Sequence, residues 1–143
     1  MKTPKHFDLE EFLTSSTAKQ KSIENLPSWE VVEHLNELAN FLDGLREAWG
    51  SGIKITSGYR NYNLNNAVGG VVSSVHQIGY AADMVPSNGQ FEEFAKFVQD
   101  WLKDKAYDQC IVEKNQKKSR WIHLSLYNNR HQQRKMEFLM DVK

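Results

Sequence analysis

Two imidazoles and one carboxylate stand in tight local contexts at two separate places in this chain. The run Ser74-Val-His76-Gln-Ile-Gly79-Tyr-Ala81-Ala-Asp83 supplies one His and one Asp, and Trp121-Ile122-His123, about forty residues later, supplies the second His. Two His nitrogens and a carboxylate oxygen satisfy Zn²⁺ and leave a fourth position open for water, which marks a catalytic rather than a structural zinc. Such ligands need rigid elements to hold them. The pattern from Tyr80 to Val85 reads as a strand with Ala82 and Met84 on one face and Ala81, Asp83 and Val85 on the other. Gly79 lets the chain turn between His76 and that strand, and the small Ala81 and Ala82 let backbone and metal approach closely. His123 is flanked by Trp121, Ile122 and Leu124. A lone His there is ordinarily a core histidine; three matched positions change that balance.

The rest of the chain supplies a frame. Phe7 to Phe12 reads as a short helix or turn capped by Asp8, and Thr14 to Lys21 as an exposed connection. Ser28 caps the clearest helix, in which Val31, Val32, Leu35, Leu38, Ala39, Leu42 and Leu45 form a helical stripe that Gly50-Ser-Gly52 stops. Ile53 to Thr56 alternates as a strand, and Asn61 to Gly70 reads as an irregular loop or short helix. Phe91 to Lys105 is a second amphipathic helix. Tyr107 to Glu113 and Arg120 to Leu126 are two strands joined as a hairpin by the polar turn from Lys114 to Ser119. The tail from Asn128 to Lys143 reads as a terminal helix. The order predicts one α+β domain over residues 1–143, with a small central antiparallel sheet, flanking helices and the zinc site in a cleft.

Composition narrows the function. At 143 residues the chain can bury one sizeable core. Lys plus Arg equals Asp plus Glu at 18 each, which argues against a nucleic-acid partner. A single cysteine, Cys110, excludes both an intrachain disulfide and a multi-Cys zinc site, and its apolar surroundings predict a buried small hydrophobe. No Gly-rich phosphate loop suggests a nucleotide. The N-terminus lacks the apolar core of a signal peptide, and no apolar run approaches the ~20 residues of a membrane span. The expectation is a monomer made in the cytoplasm; work on a cell wall would then need something else to release it, as a phage does.

The same residues, taken together, resemble a known family. The Ser74-x-His76-x-x-Gly79-x-Ala81-x-Asp83 run and Trp121-Ile-His123 look like the zinc D-alanyl-D-alanine carboxypeptidases and phage L-alanyl-D-glutamate endopeptidases, the hedgehog-type peptidoglycan metallopeptidases. Ser57-Gly58-Tyr59-Arg60, Asn65-Asn66-Ala67-Val68-Gly69-Gly70 and the helix ending Leu42-Asp43-Gly44-Leu45-Arg46 also match that family's pattern. The resemblance implies Zn²⁺ held by His76, Asp83 and His123, and a substrate drawn from peptidoglycan stem peptides. It also implies that Arg60 meets a substrate carboxylate or carbonyl oxygen, a task suited to a planar guanidinium.

The chain departs from the pattern at the general base. Many relatives carry an acid three positions before the second His, where this chain has Arg120. Glu113 is the replacement candidate, because it ends the strand expected to pair with the His123 strand. Asp108-Gln109-Cys-Ile-Val-Glu113 resembles an Asp-Gln-x-x-x-Glu arrangement in the wider family. Ser74 either hydrogen-bonds substrate or caps its loop, and Gln109 is either a substrate contact or a structural amide. The expected function is zinc-dependent hydrolysis of a stem-peptide amide bond, of carboxypeptidase or endopeptidase type, as in a phage endolysin. The competing readings are a non-catalytic wall-binding module and a phage structural component that keeps the metal site.

Overall fold

A computed structural model describes residues 2–128 and 136–141. Its centre is a five-stranded sheet of order β1-β2-β4-β3-β5, built from β1 (Ile53–Ser57), β2 (Ala81–Pro86), β3 (Gln109–Lys114), β4 (Arg120–Ser125) and β5 (Met136–Asp141). The first four strands pair antiparallel, as the hairpin and the alternating runs predict. The helices are α1 (Ser16–Gln20), α2 (Trp29–Trp49), α3 (Tyr62–Ala67) and α4 (Phe91–Trp101).

Helix α2 forms where its stripe and caps agree. The Ser28 hydroxyl accepts a hydrogen bond from the Val31 N–H at 3.2 Å, and Gly50, at φ 77°, closes the C-terminus by donating its N–H to the Arg46 carbonyl. Val31, Leu35, Leu38, Ala39, Leu42 and Leu45 are buried, while Val32 lies at the margin of the stripe. They share a core with Phe94, Val98 and Leu102 of the α4 segment and with one face of the sheet, formed by Ile53, Ile55, Ala82, Met84, Cys110, Ile122 and Leu124. Cys110 is therefore the buried small hydrophobe expected. Because side chains alternate across a strand, the residues between these must face the other way. Asp83, His123 and Glu113 are among them.

Three boundaries differ from the sequence expectations. Thr14 to Lys21 is not merely a connection: Ser15 caps α1 by accepting the Ala18 N–H at 3.2 Å. Helix α4 ends at Trp101 and tightens into a 3₁₀ turn over Leu102–Asp104. The expected terminal helix is a correction: Met136–Asp141 is a strand, paired parallel to β3 from Gln109↔Met136 to Lys114↔Asp141. The remainder of that tail expectation, residues 129–135 and 142–143, lies outside the described residues. Without β5, strand β3 would present a row of unpaired backbone groups at the sheet edge, and pairing with it outweighs local helical preference. No helix among the described residues is long and apolar enough to cross a membrane.

Candidate metal centre

The sheet register builds most of this site. Ser57 pairs with Asp83, Asp83 with His123, and His123 with Ile111, so one row of side chains crosses four strands on the face away from α2 and α4. Glu113 and Trp121 pair in the next row of that face, about 6–7 Å along the strands.

His76 arrives from outside the sheet, on a 3₁₀ turn (Val75–Ile78) whose cap, Ser74, accepts the His76 N–H on its hydroxyl at 3.2 Å. Gly79 ends the turn at φ 84° and leads into β2. A Cβ there would sit 3.1 Å from both Val31 Cγ1 and the Val31 carbonyl oxygen, so helix α2 would have to give by a few tenths of an ångström, and the positive φ separately favours glycine. The His34 Nδ1–H donates to the Ile78 carbonyl at 2.6 Å and ties the same turn to α2.

The three donors converge. His76 Nε2 lies 3.2 Å from His123 Nδ1 and 3.3 Å from Asp83 Oδ1, and His123 Nδ1 lies 3.1 Å from Asp83 Oδ1. Tetrahedral Zn²⁺ with ligand distances of 2.0–2.1 Å requires donor atoms about 3.3 Å apart, so this triangle fits one face of a zinc tetrahedron. Among the described residues, this is the group of three that can hold a metal ion. His76 Nδ1 donates to the Gly58 carbonyl at 2.7 Å, which leaves the Nε2 lone pair facing the triangle. Burial lowers the pKa of His76 despite the pull of Asp83, and so favours the neutral imidazole. Burial by itself would raise the Asp83 carboxyl. The two histidines outweigh it and hold the group well below the usual carboxylate range. A neutral imidazole beside a carboxylate anion is the protonation state that a metal demands. His76 is 2% exposed at its side chain, whereas His123 and Asp83 keep 12% and 11%.

Two further expected residues reach this place. After β1 the chain is clamped: the Tyr59 N–H donates to the Phe12 carbonyl at 2.7 Å, Asn25 donates to the Tyr59 carbonyl at 2.8 Å, and the Arg60 N–H donates to the His76 carbonyl at 3.0 Å. Gly58 is necessary in that clamp, since a Cβ would lie 2.5 Å from the Phe12 carbonyl oxygen. The Arg60 guanidinium donates to the Ser74 hydroxyl at 3.3 Å, while its buried Nε–H has no partner among the described residues. Burial lowers its pKa against the opposing pull of Asp83 and Glu113, which places this cation in the field of both carboxylates. Glu113 shows the converse. Burial and then Asp83 push its carboxyl above the usual range, against His123, Trp121 and Arg60. The Trp121 indole N–H donates to Glu113 Oε1 at 2.7 Å.

Residues 5–125, most of the chain, match the family model described as Peptidase M15. The chain belongs to the peptidase M15 family. Comparison with curated proteins finds no matching relative. Membership in M15 agrees with the family resemblance of the sequence and supports a metallopeptidase acting on a peptide bond. The donor triangle supplies a place in this M15 domain for the metal.

The remaining expected residues are placed differently. Gln109 pairs with Ser125 at the start of β3, two residues from the Ile111–His123 pair and on the same face, and its backbone N–H donates to the Ser125 hydroxyl at 3.1 Å. Asp108, fully buried, accepts from that hydroxyl at 3.1 Å. Arg120 pairs with Glu92 and lies over the Phe91 ring at 4.6 Å. In this regular strand the residue three before His123 points to the opposite face, so the Arg120 side chain lies on the α4 side of the sheet, away from the three donors. Two contributors went unread in the sequence. The Gly58 carbonyl leaves no side-chain signal. Trp121 did have one, since it stands two positions before His123 and therefore on the same strand face.

Proposed function

We propose that this chain hydrolyses an amide bond in peptidoglycan stem peptides, with Zn²⁺ held by His76, Asp83 and His123. The observation that carries the proposal is the convergence of the three donors on the face that also carries Glu113, with Arg60 close enough to sense both carboxylates. When bound, the zinc supplies Lewis acidity to the scissile carbonyl. Glu113 takes the proton of the attacking water and hands it to the leaving amine; burial raises its pKa and so makes it a stronger base than a solvated carboxylate. Arg60 uses its unpartnered Nε–H and its planar fork to hold a substrate oxygen and steady the charge that develops there. Ser74, which already receives the Arg60 guanidinium, orients that fork and offers its hydroxyl to substrate. Gln109 extends the binding face along β3.

Mass spectrometry of muropeptides released from purified sacculi tests this reading. Loss of a terminal D-Ala identifies a carboxypeptidase, and cleavage within the stem identifies an endopeptidase. Glu113→Gln keeps shape and polarity without basicity, so it should retain zinc and stability but lose at least about 10²-fold in turnover. Near-normal turnover with zinc present would remove Glu113 from the role. Zinc-loaded wild-type protein that leaves sacculi intact would favour a non-catalytic wall-binding module.

A further inference from the structure

We propose that Trp121 is a positioning residue for Glu113: its indole N–H holds one carboxylate oxygen so that the other faces the attacking water. The inference rests on the reading of Glu113 as general base. Its geometric ground is the directly opposed pair Glu113↔Trp121 in the β3–β4 ladder, with Nε1 2.7 Å from Oε1.

Glu113 needs such a tie. It is the last residue but one of β3, beside the turn that links β3 to β4, and it is only half-buried. A glutamate there has three side-chain torsions and an open route to solvent, and confining it costs rotamer entropy. A tryptophan has two torsions and a rigid ring, so an indole donor fixes the carboxylate with little freedom of its own to lose. An indole N–H donates and cannot accept, so it engages the carboxylate without competing for its proton. It also opposes the effect of burial, because a hydrogen bond to the anion favours the anion. The strand geometry explains why the donor is residue 121. It shares the face of His123, whereas residues 120 and 122 point to the other side.

A plain structural role, a cross-strand pair that stabilises the hairpin, predicts a different outcome, and a double-mutant cycle separates the two. Trp121→Phe keeps an aromatic ring and removes the N–H. With purified sacculi as substrate and rates normalised to zinc content, kcat should fall about tenfold or more while KM changes little. In a Glu113→Gln background the same substitution should add almost no further loss, since the group being positioned is gone. A spectroscopic readout needs no turnover: the Trp121 indole N–H resonance should move upfield in Glu113→Gln as its anionic acceptor is lost. Wild-type kcat in Trp121→Phe, an equal loss in both backgrounds, or an unmoved indole resonance would overturn the inference and leave the base assignment standing. Full turnover in Glu113→Gln, or wild-type protein inert on sacculi, would overturn the base assignment and the inference with it.

Discussion

Arg60 separates service to substrate from service to the fold. Its main chain holds the His76 carbonyl, but its guanidinium makes one side-chain bond, to Ser74, and keeps a buried N–H without a partner among the described residues. A buried unpaired donor is costly, and it persists most readily where a ligand completes it. Arg60→Lys keeps the charge and the main-chain bond but loses the fork. It should lower kcat/KM by roughly tenfold or more with little change in Tm. A large fall in Tm with unaltered kinetics would make Arg60 structural instead. At the same scale, the histidines differ in how they are held. His76 is fixed by the Gly58 carbonyl and presents Nε2, whereas His123 presents Nδ1 from a strand.

Elements decide whether those residues meet. Strands β2 and β4 set Asp83 against His123 by register alone, because facing residues in an antiparallel pair share a side of the sheet. A slip of one residue would send either side chain into the core. The turn carrying His76 has no such ladder and depends on its exit through Gly79. Any other residue there must take a left-handed conformation, at about 1–2 kcal/mol, and must press against Val31. Gly79→Ala should therefore lower Tm by several degrees and weaken zinc binding, since His76 moves with the turn. Calorimetry with zinc titration checks both. An unchanged Tm would show that α2 gives way at no cost.

Over the whole molecule, helices α2 and α4 and the sheet share one core, on the side of the sheet opposite the donors. A metal held there would couple binding to folding: the three candidate donors sit on β2, β4 and the turn before β2, and an ion that binds only the assembled site stabilises the assembly. Protein purified without added metal should contain about one zinc per chain. It should unfold in one cooperative transition, as a single domain does. Chelation should lower that transition, and zinc should restore it. His123→Ala should lose both the metal and the chelator sensitivity. Full zinc occupancy in that variant would replace the proposed donor set, and two separate transitions would divide the proposed domain.

What the sequence determined by itself was local. The stripe in α2, the alternation in β2 and the turn residues between β3 and β4 could be read because side-chain direction repeats over two or four residues, and His76, Asp83 and His123 stood out as candidates by residue type and local context. Strand parity also put Trp121 on the face of His123, a signal that went unread. Tertiary structure decided what depends on pairing between distant segments. It decided that the tail joins β3 as a parallel strand rather than a helix, because a sheet edge offers backbone partners that no local pattern announces. It decided that the Gly58 carbonyl selects the tautomer of His76, and that an indole N–H meets the Glu113 carboxylate. The physical reason is the same in each case: periodicity belongs to the chain, while a hydrogen bond between remote residues exists only after the loops between them have closed.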